Sequence, residues 1–227
     1  MSKRKTYISK LTPELNPCTI NVKVLRTWCY RATSMPITHR HFEMIVLDEN
    51  GDKIYVIVNN GRFAFLDKYF KEYMVILMSN FNVIPNNTSY KYTEHPYKIS
   101  FDGFATARRS NAFDGNVNKL GFEVTEYSDI MSLNLNTELP VDIEGEVFSW
   151  EYKLTDYEVC GCKTKVLPLK LKDTLGIELT CLVMGIMAEK LPDYIKAIEN
   201  YDKFLMKIGN ARVYVEGKAK FMMTMPD

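Results

Sequence analysis

No stretch of this chain stays apolar for the roughly 20 residues that a helix needs to cross a bilayer. The longest such runs are Tyr73 to Met78 and Cys181 to Ala188, so no membrane-spanning helix is expected. The opening MSKRKTYISK is basic but has no apolar core behind it. A secretory leader is therefore not expected, and the protein should stay inside the cell. Histidine is scarce, limited to His39, His41 and His95, and the motifs GxxxxGK[ST], GxGxxG after a strand, GxSxG and HExxH are missing. No residue is singled out as catalytic, and the expectation is a non-enzymatic protein without a cofactor. The cysteines number five, an odd count that in an intracellular chain points to reduced thiols rather than a disulfide framework. Cys160 and Cys162 stand too close for a zinc knuckle, and no matching pair follows them. Cys18, Cys29, His39 and His41 are the only other candidate ligands, so no metal site is expected.

What is present reads as an ordinary globular composition, 46% hydrophobic and 25% charged over 227 residues. A net charge of +1 conceals an asymmetry. Residues 1–110 hold 16 Lys/Arg against 9 Asp/Glu, a net +7, and the remainder holds 13 against 19, a net −6. The first half is suited to a polyanion, while the second would need local basic patches to hold one.

The chain also repeats itself. Phe42 to Val58, FEMIVLDENGDKIYVIV, is two apolar runs around Asn50-Gly51, a strong β-hairpin signal. At an offset of 125 residues Asp48 falls on Asp173 and Gly51 on Gly176, inside a second hairpin, LPLKLKDTLGIELTCLV. Leu66 and Tyr69 fall likewise on Leu191 and Tyr194. In the first copy a strand from Cys18 to Leu25 alternates with period two, and a basic, aromatic loop runs from Arg26 to His41. The hairpin follows, then an amphipathic helix from Arg62 to Tyr73 carrying Phe63, Leu66, Phe70 and Tyr73. Strands from Met74 to Val83 and from Ser89 to Phe101 complete it.

Five strands with a helix between the third and fourth is the element order of an OB barrel. The second copy has a strand from Val141 to Tyr152, a polar stretch through Cys162 and a hairpin from Lys165 to Val183. A helix that Pro192 either starts or breaks comes next, then strands from Phe204 to Val215 and Lys218 to Met225. The expected fold is thus all-β with short helices: two tandem five-stranded OB-fold barrels. Residues 1–107 form the first, basic barrel. Residues 108–139 form a connection in which Leu120 to Val124 can lead into the second, acidic barrel at 140–227.

An OB barrel takes strands of nucleic acid across its second and third strands and between the loops joining strands one to two and four to five. Cations track the phosphates there and aromatic rings stack on bases, each worth about 1–3 kcal/mol. The first barrel supplies both kinds of side chain. Arg26, Trp28, Tyr30, Arg31 and Arg40 lie in the first loop, and Tyr55 lies on the face of the third strand opposite the core, which is expected to be free for a ligand. Tyr90, Lys91 and Tyr92 follow the second loop. Each also has a structural reading: Trp28 as a plug of the barrel mouth, Tyr92 and Tyr97 as packing, the arginines as solvated.

The lead-in ISKLTP, the strand TINVKVLRTW, the hairpin FEMIVLDENGDKI and the stretch NFNVIPNNTSYKYTEHPYKISF resemble the large subunit of replication protein A, most of all its plant relatives. The resemblance spans nearly the whole chain and covers that family's tandem central OB folds. It implies nuclear, non-enzymatic binding of single-stranded DNA, largely without sequence preference, in replication, repair or recombination. No counterpart of the family's zinc-bearing third domain is expected. By the same resemblance Tyr90 matches a base-stacking aromatic, while the other stacking position of the first barrel falls on Asn59. Its counterpart in the second barrel falls on Met184, with Tyr214 as a substitute for the remaining one. The expected partner is single-stranded DNA or RNA. The alternative is a protein-interaction module that keeps the barrels and has lost the stacking sites.

Overall fold

The computed structural model describes residues 5–15, 18–30, 41–58, 67–88, 91–113, 121–150, 153–159, 162–197, 204–216 and 219–223. Its contacts divide the chain into two compact units, Met1–Gly121 and Phe122–Asp227.

The first unit contains β1 (Lys5–Thr6), β2 (Thr19–Tyr30), β3 (His41–Asp48), β4 (Lys53–Val58), β5 (Val75–Ser79), β6 (Asn82–Pro85), β7 (Tyr97–Phe101) and β8 (Thr106–Arg109). Pairing runs β6-β7-β4-β3-β2-β5-β8, with β1 parallel on β2 and β4 parallel to β7. Ile20, Val22 and Val24 face the core at 0% exposure, as period-two alternation requires. The strand expected from Met74 to Val83 is bent into β5 and β6. Asn80 at the bend adopts φ 59°, a left-handed conformation that asparagine tolerates, and Phe81 turns into the core. One half thereby pairs with β2 and the other with β7, so two consecutive parts of the chain, β5 and β6, bring the two sides of the pairing path together.

Two further expectations are corrected in this unit. Of the helix expected over Arg62 to Tyr73, Phe63 and Leu66 lie outside the described residues, and the described part holds only a 3-10 turn, Asp67–Tyr69. Phe70 does reach the core, stacked 5.8 Å from Phe42 and edge-on to Phe101 at 5.5 Å. Tyr73 is exposed at φ 67° because its N–H donates to Val24 O at 2.7 Å, which fastens the chain to β2 instead of continuing a helix. The strand expected from Ser89 to Phe101 begins only at Tyr97, since Pro96 cannot donate to a ladder.

The second unit contains the helix Tyr127–Ser132, β9 (Val141–Trp150), β10 (Thr155–Val159), β11 (Cys162–Lys172), β12 (Glu178–Met184), the helix Gly185–Ala197, β13 (Phe204–Glu216) and β14 (Ala219–Met223). The pairing β9-β11-β12-β14-β13 returns from β13 to β9, with β12 parallel to β14. Both units thus have the strand order of an OB barrel. The polar stretch before Cys162 contains β10, which pairs with β11 as a hairpin arm. Pro192 neither starts nor breaks its helix but lies inside Gly185–Ala197. Leu191 and Ile195 flank it and are buried in the barrel core, which holds the helix in place despite the missing N–H.

The duplicated hairpins close identically. Gly51 N–H donates to Asp48 O and Gly176 N–H to Asp173 O, both at 3.2 Å, with the glycines at φ 96° and 83°. Asp48 Oδ1 accepts from the N–H of Asn50 and Asp52, and Asp173 Oδ1 from those of Leu175 and Ile177. This is a three-residue loop ending in a left-handed glycine. The duplication extends to the lead-in. Lys5 and Thr6 pair in parallel with β2, as Val124 bridges in parallel to Asp142, and each lead-in then buries helical residues, Ile8 in one unit and Tyr127 and Ile130 in the other. One difference is energetic. Asp48 Oδ2 also accepts the buried Ile8 N–H at 2.7 Å, whereas Asp173 Oδ2 has no donor among the described residues.

Two stability predictions follow from these elements. Asp48→Ala should destabilise its unit by about 1–3 kcal/mol more than Asp173→Ala destabilises the other, because it strands a buried amide; urea unfolding of both variants measures the difference. Pro192→Ala should raise the stability of the second unit by about 1–3 kcal/mol by restoring a helical hydrogen bond, read as a higher unfolding midpoint.

Candidate nucleic-acid interface

The hairpin fixes a register in which Trp28 lies opposite Glu43 on β3 and Ile45 lies opposite Tyr55 on β4. Residues 44 and 46 point into the core, so Glu43, Ile45 and Leu47 point the other way. A bulge in β2 between Val24 and Arg26 breaks the strand's alternation. Bulges re-aim the side chains beyond them, and this one turns Arg26 and Trp28, opposite Ile45 and Glu43, to the outer face, where Leu25 already packs with Ile45 and Leu47.

On that face Trp28, Tyr55 and Tyr92 form a compact aromatic cluster. Trp28 lies 6.2 Å from Tyr55 at an interplanar angle of 10° and 5.0 Å from Tyr92 at 53°, and Tyr55 lies 5.0 Å from Tyr92 at 43°. The Glu43 carboxylate sits within it at 8% exposure, accepting the Trp28 Nε1–H at 2.7 Å and a hydrogen bond from the Tyr55 hydroxyl. Burial pushes the Tyr55 phenol well above its ordinary value, and the Glu43 charge and hydrogen bond raise it further. Tyr55 thus remains a neutral donor.

The face opposite the core was expected to leave Tyr55 open, and this is corrected: its ring is 2% exposed. Bringing Tyr92 and Trp28 over it removes apolar surface from water. Trp28 and Tyr92 remain half-buried, so they are the rings a ligand can reach. Arg26 and Lys91 are exposed near them in sequence. Arg31, Arg40, Asn59 and Tyr90 lie outside the described residues, as does the side chain of Tyr214, whose backbone pairs with Phe221 in β13. Met184 is corrected too. It is 1% exposed, because the helix Gly185–Ala197 starts directly after it and packs on β11 and β12, so the thioether is not presented to a ligand.

Sequence reasoning missed Glu43 and weighed Tyr92 both as a groove residue and as packing. A signal for Glu43 existed: it is a lone carboxylate in an apolar strand, placed by the hairpin register against a tryptophan.

The loop that delivers Lys91 and Tyr92 is tied down at its far end. Asn86 N–H donates to Pro96 O at 2.9 Å. His95 Nε2 lies 3.0 Å from Ile8 O, and Tyr97 N–H donates to His95 Nδ1 at 3.2 Å. A carbonyl only accepts, so His95 Nε2–H donates to Ile8 O. Ile8 thus holds the hairpin through its N–H and the loop through its carbonyl.

In a Trp150→Phe background, where Trp28 is the sole tryptophan, Glu43→Ala should cost about 1.5–3 kcal/mol of stability through the loss of charge-assisted hydrogen bonds. It should also shift the indole emission to the red as the ring loosens into water; unchanged emission and stability would contradict the role given to Glu43.

Comparison with known proteins agrees with the fold. The chain is similar to a chain in the structure of a replication protein A heterotrimer bound to ssDNA, with TM-score 0.69 and 18% identity over 97% of this chain. It spans 49% of the length of that replication protein A chain. A second similar structure is DNA binding domain A of S. cerevisiae replication protein A, with TM-score 0.38 and 18% identity, covering 48% of this chain and 97% of that one. No curated protein matches in sequence. The family described as "Domain of unknown function DUF223" matches residues 9–132. That match takes in more than half of the residues, so the chain belongs to the DUF223 family, and its likeness to the replication protein A chain shows a shared fold of OB barrels.

Proposed function

We propose that the chain is a non-enzymatic single-stranded DNA-binding protein in which the first, basic barrel carries most of the affinity, acting in the nucleus in replication, repair or recombination. The observation that carries this reading is the aromatic platform of Trp28 and Tyr92. Its two reachable rings are backed by Tyr55 and held by Glu43 on the strand face where OB barrels take single strands. Arg26 and Lys91 are exposed cations for the phosphates, and Tyr90 adds a third ring by sequence resemblance. The likeness to a chain of an ssDNA-bound heterotrimer supports the reading at the level of the fold. The second barrel contributes less, because Met184 is buried where a stacking side chain is wanted and residues 111–227 carry a net −6. RNA remains the competing ligand, since stacking and phosphate contacts do not by themselves distinguish the two sugars.

Titration of a labelled oligothymidine over a range of salt concentrations tests the proposal. Binding should weaken with salt as neutralised phosphates release counterions, and Lys91→Ala should reduce the magnitude of the log–log slope by about 0.7. Trp28→Ala and Tyr90→Ala should each weaken binding by about five- to 150-fold, the loss of one stacked base. No binding at low salt would end the proposal. An oligouridine that binds as tightly as the DNA would remove the preference for DNA.

A further inference from the structure

Apart from its two ends, a single strand of DNA carries hydrogen-bond donors only on its bases; its phosphate and sugar oxygens accept. A side chain that can only accept, standing in a strand-binding face, therefore meets a base edge or nothing. Glu43 is such a side chain. It lies opposite Trp28 on the outer face of β3, where it takes the indole Nε1–H at 2.7 Å and the Tyr55 hydroxyl. A carboxylate has about four lone-pair sites. Two donors leave half of that capacity unused, and Glu43 keeps 8% exposure against 2% for Tyr55, so the acceptor is less sealed than the ring behind it.

Its surroundings indicate which base would fit. Trp28 is half-buried with its Nε1 edge fixed on Glu43, so a base stacked on the indole carries its own edge past the carboxylate. Among the described residues no ion pair involves Glu43; both of its donors are neutral, and the charge is left to act on the ligand. It repels phosphate and turns the base edge inward. The bases differ in what they then present. Thymine has one N–H between two carbonyls, which the carboxylate repels. Adenine and cytosine set an amino group beside an acceptor nitrogen. Guanine alone has two adjacent donors, N1–H and the 2-amino group, the arrangement that suits a carboxylate.

We propose that Glu43 makes this position a guanine site, in which a base stacked on Trp28 donates from its N1–H and 2-amino edge to the unused lone pairs of the carboxylate. Guanine readout rests on the single-strand binding proposed for the first barrel. It adds a base preference at one position, which stacking and phosphate contacts do not supply. Glu43 thus reads the ligand as well as bracing the rings.

The experiment uses the full chain and labelled oligothymidines of about 12 nucleotides, unaltered or with one central thymine replaced by guanine or by hypoxanthine, which lacks the 2-amino group. A strand held without sequence preference can slide, so the single guanine reaches the site. The guanine strand should bind about five-fold or more tighter than oligothymidine, with the hypoxanthine strand between them. In Glu43→Gln, which keeps the side chain's size and one carbonyl acceptor, the ratio of guanine to thymine affinity should fall to about two or less. A Glu43 that only braces the rings would leave that ratio unchanged. Equal binding of all three strands would overturn the guanine site and leave single-strand binding standing, whereas no binding of any strand would remove both. A preference that survives in Glu43→Gln would overturn the role of Glu43. If that variant does not fold, the unaltered chain still decides, because equal binding of the guanine and hypoxanthine strands means that the 2-amino group is not read.

Discussion

The Asp-x-x-Gly turn is the constraint on which the first barrel's outer face depends. By accepting two backbone amides on one carboxylate oxygen, Asp48 fixes the length of the loop and so the register of β3 against β4. From that register the rest follows in order: Tyr55 opposite Ile45, and Trp28 opposite Glu43 through the bulge in β2. Side chains alternate between faces. A slip of one residue would therefore send Glu43 into the apolar core and Met44 out to the aromatic rings. The cluster exists because a buried carboxylate with two hydrogen-bond donors is tolerable where one with none is not.

The second barrel has the same turn, with the same four hydrogen bonds, and a different outcome. Register alone does not make a binding face; what stands on the register does. Where the first unit places a loop carrying Tyr92 over its outer strands, the second covers the end of β12 with a 13-residue helix and buries Met184. Among the described residues, Phe204 to Ile208 has no strand on the side away from β9. The duplicated architecture thus supports divergent surfaces: an aromatic one with a basic neighbourhood in the first unit, and in the second a helix-covered strand end in a unit with more acidic than basic residues.

Much of this was legible in the residues. The hairpins, their offset and the strand order came from Asn50-Gly51, Asp173 and Gly176 and from period-two alternation, because turn chemistry and burial are local signals. Trp28 and Tyr55 were recognisable as site candidates for the same reason. What was not legible depends on closure around a barrel. Nothing local in Met74 to Val83 says that Asn80 must bend so that one strand can serve two neighbours. The helical spacing of Phe70 and Tyr73 suggested a helix that a long-range bond to Val24 overrides. The burial of Tyr55 arises from Tyr92, some forty residues away, folding back over it. Pro192 inside a helix is tolerated only because buried neighbours hold the turn in place, which propensity alone does not reveal.

Ile8 gives the lead-in a role that its sequence position hides. One fully buried residue ties the hairpin turn to the base of the loop bearing Tyr92, through its amide on Asp48 and its carbonyl on His95. The family match begins at residue 9, one position later. A fragment cut at that homology boundary would retain every strand of the barrel from β2 onward, yet would lose the backbone link between the hairpin turn and the base of the loop that bears Tyr92.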